Sequence, residues 1–328
     1  IIDDDLFYSA LVSFGAFGII HGYVLETMPL YMLDTTCQRR DFSDAAPLLP
    51  LMAAFNPADT TPITDFLKQF NIISPNGGEL HQIDLTINPY AATNNCFLRA
   101  MFKLPYDGTK LSQMDLNGTR VGNDVLTVIG KLANVATNLV PSVVSAVFGS
   151  AQPVQNNFIQ TPRNTFGDST IYQNQQGGTS MELGVAVADA EKALKITMDE
   201  MKNSLFPGVI GVRFVKPTKA TVGFTKFSPL TCTIEIPSIN IDSTKAGYQN
   251  VFDVLDDADI PFTLHWGQVG DYSPYRLQKM YGASLGKWIK ARETLLPDPA
   301  QRYMFTNDFM KGCGLGEAMP LVSGAPIV

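Results

Sequence analysis

The hydrophobic pattern of the C-terminal half switches between two periods. From Met181 to Val187 the apolar residues Met181, Leu183, Val185 and Val187 fall on every second position, as a half-buried strand requires. From Asp189 to Asn203 the spacing changes to three and four, with Ala190, Leu194, Met198 and Met201 on one side of a helix. Val209–Val215 and Leu230–Ile236 alternate again, and Thr244–Ala258 aligns Tyr248, Val251, Phe252 and Leu255 on a second helix. Ile260–Trp266 reads as a last strand, placing Phe262, Leu264 and Trp266 on one face and Thr263 with His265 on the other. The order β-α-β-β-α-β is that of a ferredoxin-like split unit. It predicts an α+β fold with an antiparallel sheet and helices on one face.

Upstream the pattern is less regular. Asp3, Asp4 and Asp5 suit the start of a helix carrying Leu6, Phe7, Ala10 and Leu11, because negative charge is favoured there. Leu6 to Leu25 is apolar enough to raise the question of a membrane span. Gly15, Gly18 and Gly22 interrupt it, however, and it ends at Glu26 and Pro29. A glycine turn followed by a buried strand around Phe17–Glu26 is the better reading. Residues 34–78 are broken by Pro47, Pro50, Pro57, Pro62 and Pro75, leaving a helix over Thr64–Phe70. Strands are expected at Leu80–Ile87 and Cys96–Phe102, and an amphipathic helical pair over Asp124–Phe148 with Pro141 in the first turn of its second member. Residues 150–178, rich in Gln, Asn, Gly and Pro, read as a long loop. Pro274–Thr294 reads as one helix before an irregular tail.

Composition narrows the functional classes. The 328 residues include 45% hydrophobic residues and 20 Phe, enough for a substantial core and incompatible with a disordered chain. Lys and Arg number 24 against 31 Asp and Glu, for a net charge of −7 with no basic run, which argues against nucleic acid as a partner. Cys37, Cys96, Cys232 and Cys313 lack CxxC spacing, and His21, His81 and His265 are the only histidines. Neither a zinc finger nor a dense disulfide framework can be built from that supply. The chain opens on Ile1-Ile2-Asp3 with no initiator Met and no basic leader, and reads as the interior of a longer protein.

Several motifs fail on their missing partners. Gly167-Asp168-Ser169 looks like a serine-esterase block, but position 262, three residues before His265, is Phe rather than the Asp such a triad needs. Ser284-Leu285-Gly286-Lys287 has no Ser-Asp-Asn or Lys-Thr-Gly beside it. Gly15-Ala16-Phe17-Gly18 is not a dinucleotide or phosphate loop. His265-Trp266-Gly267-Gln268 is more informative. It ends a predicted strand, where side chains project into clefts, and its Gly allows close approach to the backbone.

In that tetrad, and in an ordered set around it, the chain resembles FAD-linked oxidases of the vanillyl-alcohol-oxidase superfamily, near the alditol and sugar-lactone oxidases. The set runs from Asp5-Leu6-Phe7 and Gly15-Ala16-Phe17-Gly18-Ile19-Ile20 to Met181-Glu182-Leu183-Gly184-Val185 and Arg213-Phe214-Val215-Lys216. It continues through Ile260–Gly267 to Arg292, Asp298-Pro299 and Phe305-Thr306-Asn307, and covers nearly the whole chain. The resemblance implies the end of an FAD-binding domain over 1–40, a substrate-binding domain over 41–300, and a segment over 301–328 returning towards the FAD domain. The flavin pyrophosphate half would lie upstream.

The resemblance also implies FAD as cofactor and a small-molecule alcohol as substrate, with hydride transfer to flavin N5 and reoxidation by molecular oxygen or another acceptor. His265, Arg213 and Glu235 are the implied catalytic residues. Gly15, Gly18, Ile19, Ile20, Gln268 and Asn307 are the implied cofactor contacts, and no metal is implied. Two positions depart from the family pattern. Gln268 stands where the family usually has Lys, so it donates a neutral hydrogen bond without charge. Gly211 stands where polyol-oxidising relatives carry Glu, which argues against a polyol. The competing expectation is a non-catalytic binding module, or one subunit of a split enzyme, with the same fold and no flavin of its own.

Overall fold

The computed structural model describes residues 3–113, 136–149, 152, 154–166 and 178–318. The first member of the predicted helical pair and the Gly167-Asp168-Ser169 motif lie outside the described residues.

The described residues contain one eight-stranded sheet, β1 (Tyr31–Arg40), β2 (Glu79–Ile87), β3 (Cys96–Pro105), β4 (Gln155–Gln160), β5 (Gly178–Ala186), β6 (Ile210–Val215), β7 (Thr231–Ile239) and β8 (Phe262–Leu264). Its order is β4-β1-β3-β2-β6-β7-β5-β8, and every neighbouring pair is antiparallel. The last four strands in that order, with α7 (Ala190–Asn203) and α8 (Asp242–Asp257), are the predicted ferredoxin-like unit. Leu183, Val185, Val212, Ile234, Ile236 and Leu264 are buried on the face beneath these helices. There the Tyr248 hydroxyl donates to the Ile236 carbonyl at 2.8 Å, and Phe252 stacks on Phe262 with centroids 5.8 Å apart. The smaller helices α2 (Phe42–Ala45), α3 (Leu48–Ala53), α4 (Thr61–Lys68), α5 (Val140–Phe148) and α6 (Pro162–Phe166) belong to the same compact unit, which spans Thr27–Pro217 and Phe227–Gly270.

Two strands escape the sequence pattern for a physical reason. β1 buries six consecutive residues, Met32 to Cys37, so its polar members do not mark an outer face. Asp34 accepts from Ser74 Oγ at 2.7 Å and from Asn157 Nδ2 at 3.2 Å, and Thr36 Oγ1 accepts from the Asn157 amide at 3.1 Å. Polar groups bonded this way can be buried without the penalty that would otherwise exclude them. Asn157 belongs to β4, which forms the sheet edge inside the stretch expected to be all loop. The last strand is shorter than expected: β8 stops at Leu264, and Trp266 lies beyond it, only half buried.

The second compact unit draws on Ile1–Glu26, Thr218–Lys226 and Asp271–Val328. It holds α1 (Asp4–Ala10), α9 (Pro274–Tyr281), α10 (Ala283–Leu295), α11 (Pro299–Met304) and α12 (Asp308–Gly312). The single helix expected over Pro274–Thr294 breaks at Gly282, whose φ of +49° no α-helix accommodates. The tail is helical rather than irregular as far as Gly312. No strand forms over Phe17–Glu26. Phe17 is buried edge-on against Trp288 at 5.1 Å, but Ile19 is 88% exposed and Val24 fully so. No helix among the described residues is long and apolar enough to cross a membrane. All four cysteines are buried and free.

Packing beneath the sheet is tight around Gly247 of α8. A Cβ there would stand 2.4 Å from the Phe206 ring, itself buried and 5.2 Å from the Tyr248 ring. Gly247→Ala should therefore destabilise the protein by about 1–3 kcal/mol, outweighing the ~1 kcal/mol that Ala gains in helix propensity. Denaturant unfolding checks the sign.

Candidate active site

The sheet face turned away from α7 and α8 carries charge. Alternation along the strands, combined with their registers, sets the rows. Thr86, Gly211, Glu235 and Glu182 align across β2, β6, β7 and β5. Asp84, Arg213, Thr233, Gly184 and Thr263 form the next row on the same face. Arg213 Nη1 donates to Glu182 at 3.0 Å, and its Nη2 donates to Glu235. Arg99 clasps Asp84 through Nε, 3.0 Å from both carboxylate oxygens, and Nη2 at 2.8 Å. Two guanidinium groups thus face three carboxylates, an excess of one negative charge. Burial alone lowers the Arg213 pKa, but Glu235, Glu182 and Asp84 outweigh it and raise the value above that of an ordinary arginine.

Beyond Leu264 the chain bulges and rejoins β5. The His265 amide donates to the Glu182 carbonyl at 2.9 Å, and the Val269 amide to the Ser180 carbonyl at 3.0 Å. Inside the bulge the Gly267 amide donates to His265 Nδ1 at 3.1 Å, so the neutral imidazole carries its proton on Nε2. A Cβ at position 267 would stand 3.2 Å from His265 Cε1, so a larger residue would press on the imidazole. Gln268 turns its amide towards Glu182, with Nε2 to Oε2 at 3.5 Å.

A cavity of about 980 Å³ opens beside these groups. Val144 and Val147 of α5, Val209, Pro237, Ile239 and Val269 give it apolar walls, while Ser180, Gln268 and Glu235 form a polar end. Glu235 is the charged residue among the described residues lining it. One Glu235 oxygen accepts from Ser180 Oγ at 3.2 Å and the other from Arg213. Gly211 adds no crowding there, since a Cβ would lie 3.7 Å from that of Glu235.

The structure therefore brings Arg213 and Glu235 into direct contact, and sets His265 and Gln268 along the adjoining edge. Arg213 and His265 do not lie on neighbouring strands, because β7 and β5 separate β6 from the end of β8. Glu182 is the group that links them. Its pairing partner was missed in the sequence, although the Met181-Leu183-Val185 alternation already placed Glu182 on the opposite, open face. Asp84 and Arg99 were missed likewise. The remaining implied residues sit in the other compact unit. Gly15 (φ +76°) and Gly18 (φ +99°) have open space where a Cβ would project, and Ile19 and Ile20 are exposed. Between them Ala16 and Phe17 are buried, so the run is not evenly open. Asn307 Nδ2 donates to the Phe14 carbonyl at 2.9 Å while its Oδ1 caps α12 through the Met310 amide, also at 2.9 Å.

Arg213→Met should leave Glu182, whose side chain is only 8% exposed, opposite Glu235 without a cation. A fully buried broken pair costs ~3–5 kcal/mol; with Arg213 itself 42% exposed, screening should reduce that to about 2 kcal/mol. Thermal unfolding should show the loss, and Glu182→Gln in the same chain should recover part of it.

Comparisons with known proteins bear on the fold. No protein-family model matches the chain, and no curated protein matches it in sequence. Solved structures do match. Cholesterol oxidase from B. sterolicum superposes with a TM-score of 0.53 at 11% identity, covering 87% of this chain and 60% of that one. Xylooligosaccharide oxidase from Myceliophthora thermophila C1, in complex with xylobiose, gives 0.50 at 11% identity, covering 96% and 62%. The chain thus spans about three fifths of the length of these structures. Over the part that it spans, the chain shares the fold of these two structures.

Proposed function

We propose that this chain forms the substrate side of an FAD-dependent oxidoreductase that oxidises an apolar alcohol. The observation that carries the proposal is the cavity with apolar walls and, among the described residues, a single carboxylate, Glu235, at its polar end, beside the His265–Gln268 bulge. Among the structural neighbours, one is named for cholesterol, an apolar alcohol, and another was seen with xylobiose, a polyhydroxylated sugar. The walls offer a sugar few hydrogen-bonding partners, so they favour the first kind of substrate.

The residues present fit a flavin. Gly15 and Gly18 leave open space beside the backbone where a flat ring system can approach closely, and Ile19 and Ile20 offer apolar cover. Gln268 would serve the polar edge of the ring. Bound FAD would supply the acceptor for the hydride leaving the carbinol carbon. The rest falls to this chain's own residues. His265, whose Nδ1 accepts from the Gly267 amide at the cavity's Gln268 end, would orient the substrate oxygen. Glu235 is the acceptor for the hydroxyl proton, and Arg213 and Ser180 hold its carboxylate in place. The cavity walls exclude water from the reacting carbon. Molecular oxygen or another acceptor would close the cycle. The binding-module reading survives only if the protein, isolated with all its segments, carries no flavin.

The test is flavin reduction in the FAD-bound protein. His265→Ala should slow it by ~10²–10⁴-fold while folding and flavin content stay intact. Unchanged kinetics in the folded variant would remove His265 from the site, and a colourless wild-type protein would remove the oxidase reading itself.

Gln268→Lys provides a separate check. The new ammonium would meet Glu182, now 3.5 Å from the Gln268 amide, and cancel the surplus negative charge. The flavin reduction potential should rise, because negative charge builds on the ring as it is reduced. An unaltered potential with flavin bound would mean that position 268 faces away from the ring.

A further inference from the structure

In the compact unit that contains α10, three side chains act on one short stretch of backbone. Trp288 Nε1 donates to the Val12 carbonyl at 2.8 Å, Asn307 Nδ2 to the Phe14 carbonyl at 2.9 Å, and Arg292 Nε to the Ala16 carbonyl at 3.2 Å. Alternate carbonyls, at 12, 14 and 16, are thus each held by a different side chain. The intervening turn closes on itself through the Ala16 amide and the Ser13 carbonyl at 2.8 Å. Trp288 adds ring packing against Phe14 at 5.6 Å and Phe17 at 5.1 Å.

Arg292 is the unusual member. It is only 4% exposed, yet each of its hydrogen bonds goes to a neutral oxygen. Besides Ala16, it donates through Nη1 to the Leu315 carbonyl at 3.0 Å, and through Nη2 to the Arg302 carbonyl at 2.6 Å and Thr306 Oγ1 at 3.0 Å. The nearby carboxylate, Glu317, is bonded to Arg302 at 2.7 Å instead. A buried cation costs several kcal/mol in desolvation unless its donors are satisfied, and here four oxygens fixed by the fold take four of its five N–H groups. Such a group is rigid. It pins three separate stretches of chain, at 16, 302–306 and 315, to one planar fork.

We propose that Trp288, Arg292 and Asn307 are positioning residues that hold the backbone of residues 12–16, so that Gly15 and Gly18–Ile20 are presented in a fixed conformation to the flavin. The inference rests on the flavin reading above, and changes the part given to Asn307. Both ends of its amide are engaged within the protein, one on Phe14 and one on the α12 cap, so it acts through the segment rather than as a direct cofactor ligand. Gly15 and Gly18 hold positive φ angles that flexible chain would not keep by itself, and the clamp fixes the turn from which they project.

Asn307→Asp separates positioning from general stability. Asp keeps the oxygen that caps α12, and is as good a cap as Asn, but it has no donor for Phe14. Trp288→Phe removes one donor and keeps an aromatic ring. In the FAD-bound protein each variant should remain folded. Amide exchange over residues 12–20 should quicken, and the dissociation constant for FAD, read from flavin fluorescence, should rise by about 5-fold, the weight of one lost hydrogen bond. Quicker exchange with unchanged FAD affinity overturns the positioning role and leaves the clamp a structural feature. Unchanged exchange overturns the clamp. If the wild-type protein holds no FAD while exchange still quickens in the variants, the flavin reading fails and the clamp stands without it.

Discussion

Glu182 and Glu235 stand directly opposite each other on neighbouring strands of one sheet. Like charges at that separation repel, and a sheet that places them together is destabilised unless something intervenes. Arg213 intervenes from β6, bridging the adjoining strand's Glu235 and reaching past it to Glu182. A lysine could not do this as well, because a point charge cannot serve two carboxylates with separate, directed donors. The open face of the sheet therefore exists in its present form through one guanidinium. With Asp84 and Arg99 forming the next pair along the face, the charge is ordered across five strands.

That arrangement also sets the character of the cavity. Glu235 is drawn towards Arg213 and Ser180, which fixes its direction while leaving lone pairs for a ligand donor. The surplus negative charge and the neutral Gln268 make the polar end suited to hydroxyl groups and unsuited to carboxylates or phosphates. Apolar walls from α5 and the β7 end complete a site that can hold a bulky, weakly polar molecule by one end. The electrostatics and the walls thus point to the same class of ligand by independent routes.

The sequence made the ferredoxin-like half of the fold legible because its strands set apolar residues on one face and polar or small ones on the other, so the two-residue alternation survives in Met181–Val187 and Leu230–Ile236 even where both faces are buried. It hid β1 because Asp34, Thr35 and Thr36 are buried, and buried polar residues read as exposed ones. β4 was hidden by its Gln and Asn, and Asn157 finds its partners Thr36 and Asp34 more than a hundred residues away. The site shows the same division. His265, Arg213 and Glu235 could be picked out one at a time, but nothing local says that Arg213 meets Glu182 from two strands away. Only the register of β5, β6 and β7 decides that.

The apolar run at Phe17–Glu26 shows where pattern reading fails for a different reason. Its hydrophobicity promised a buried strand, yet Ile19, Tyr23, Val24 and Leu25 are all strongly exposed. A hydrophobic stretch becomes a strand only if a sheet edge accepts its backbone, and no strand among the described residues does so. What fixes the beginning of this stretch is instead the set of carbonyl contacts from Trp288, Asn307 and Arg292, which end at Ala16. Order imposed by side chains up to residue 16 and apolar exposure after residue 18 are therefore two sides of one design. The backbone is held firmly at the point where its hydrophobic surface begins to face outward.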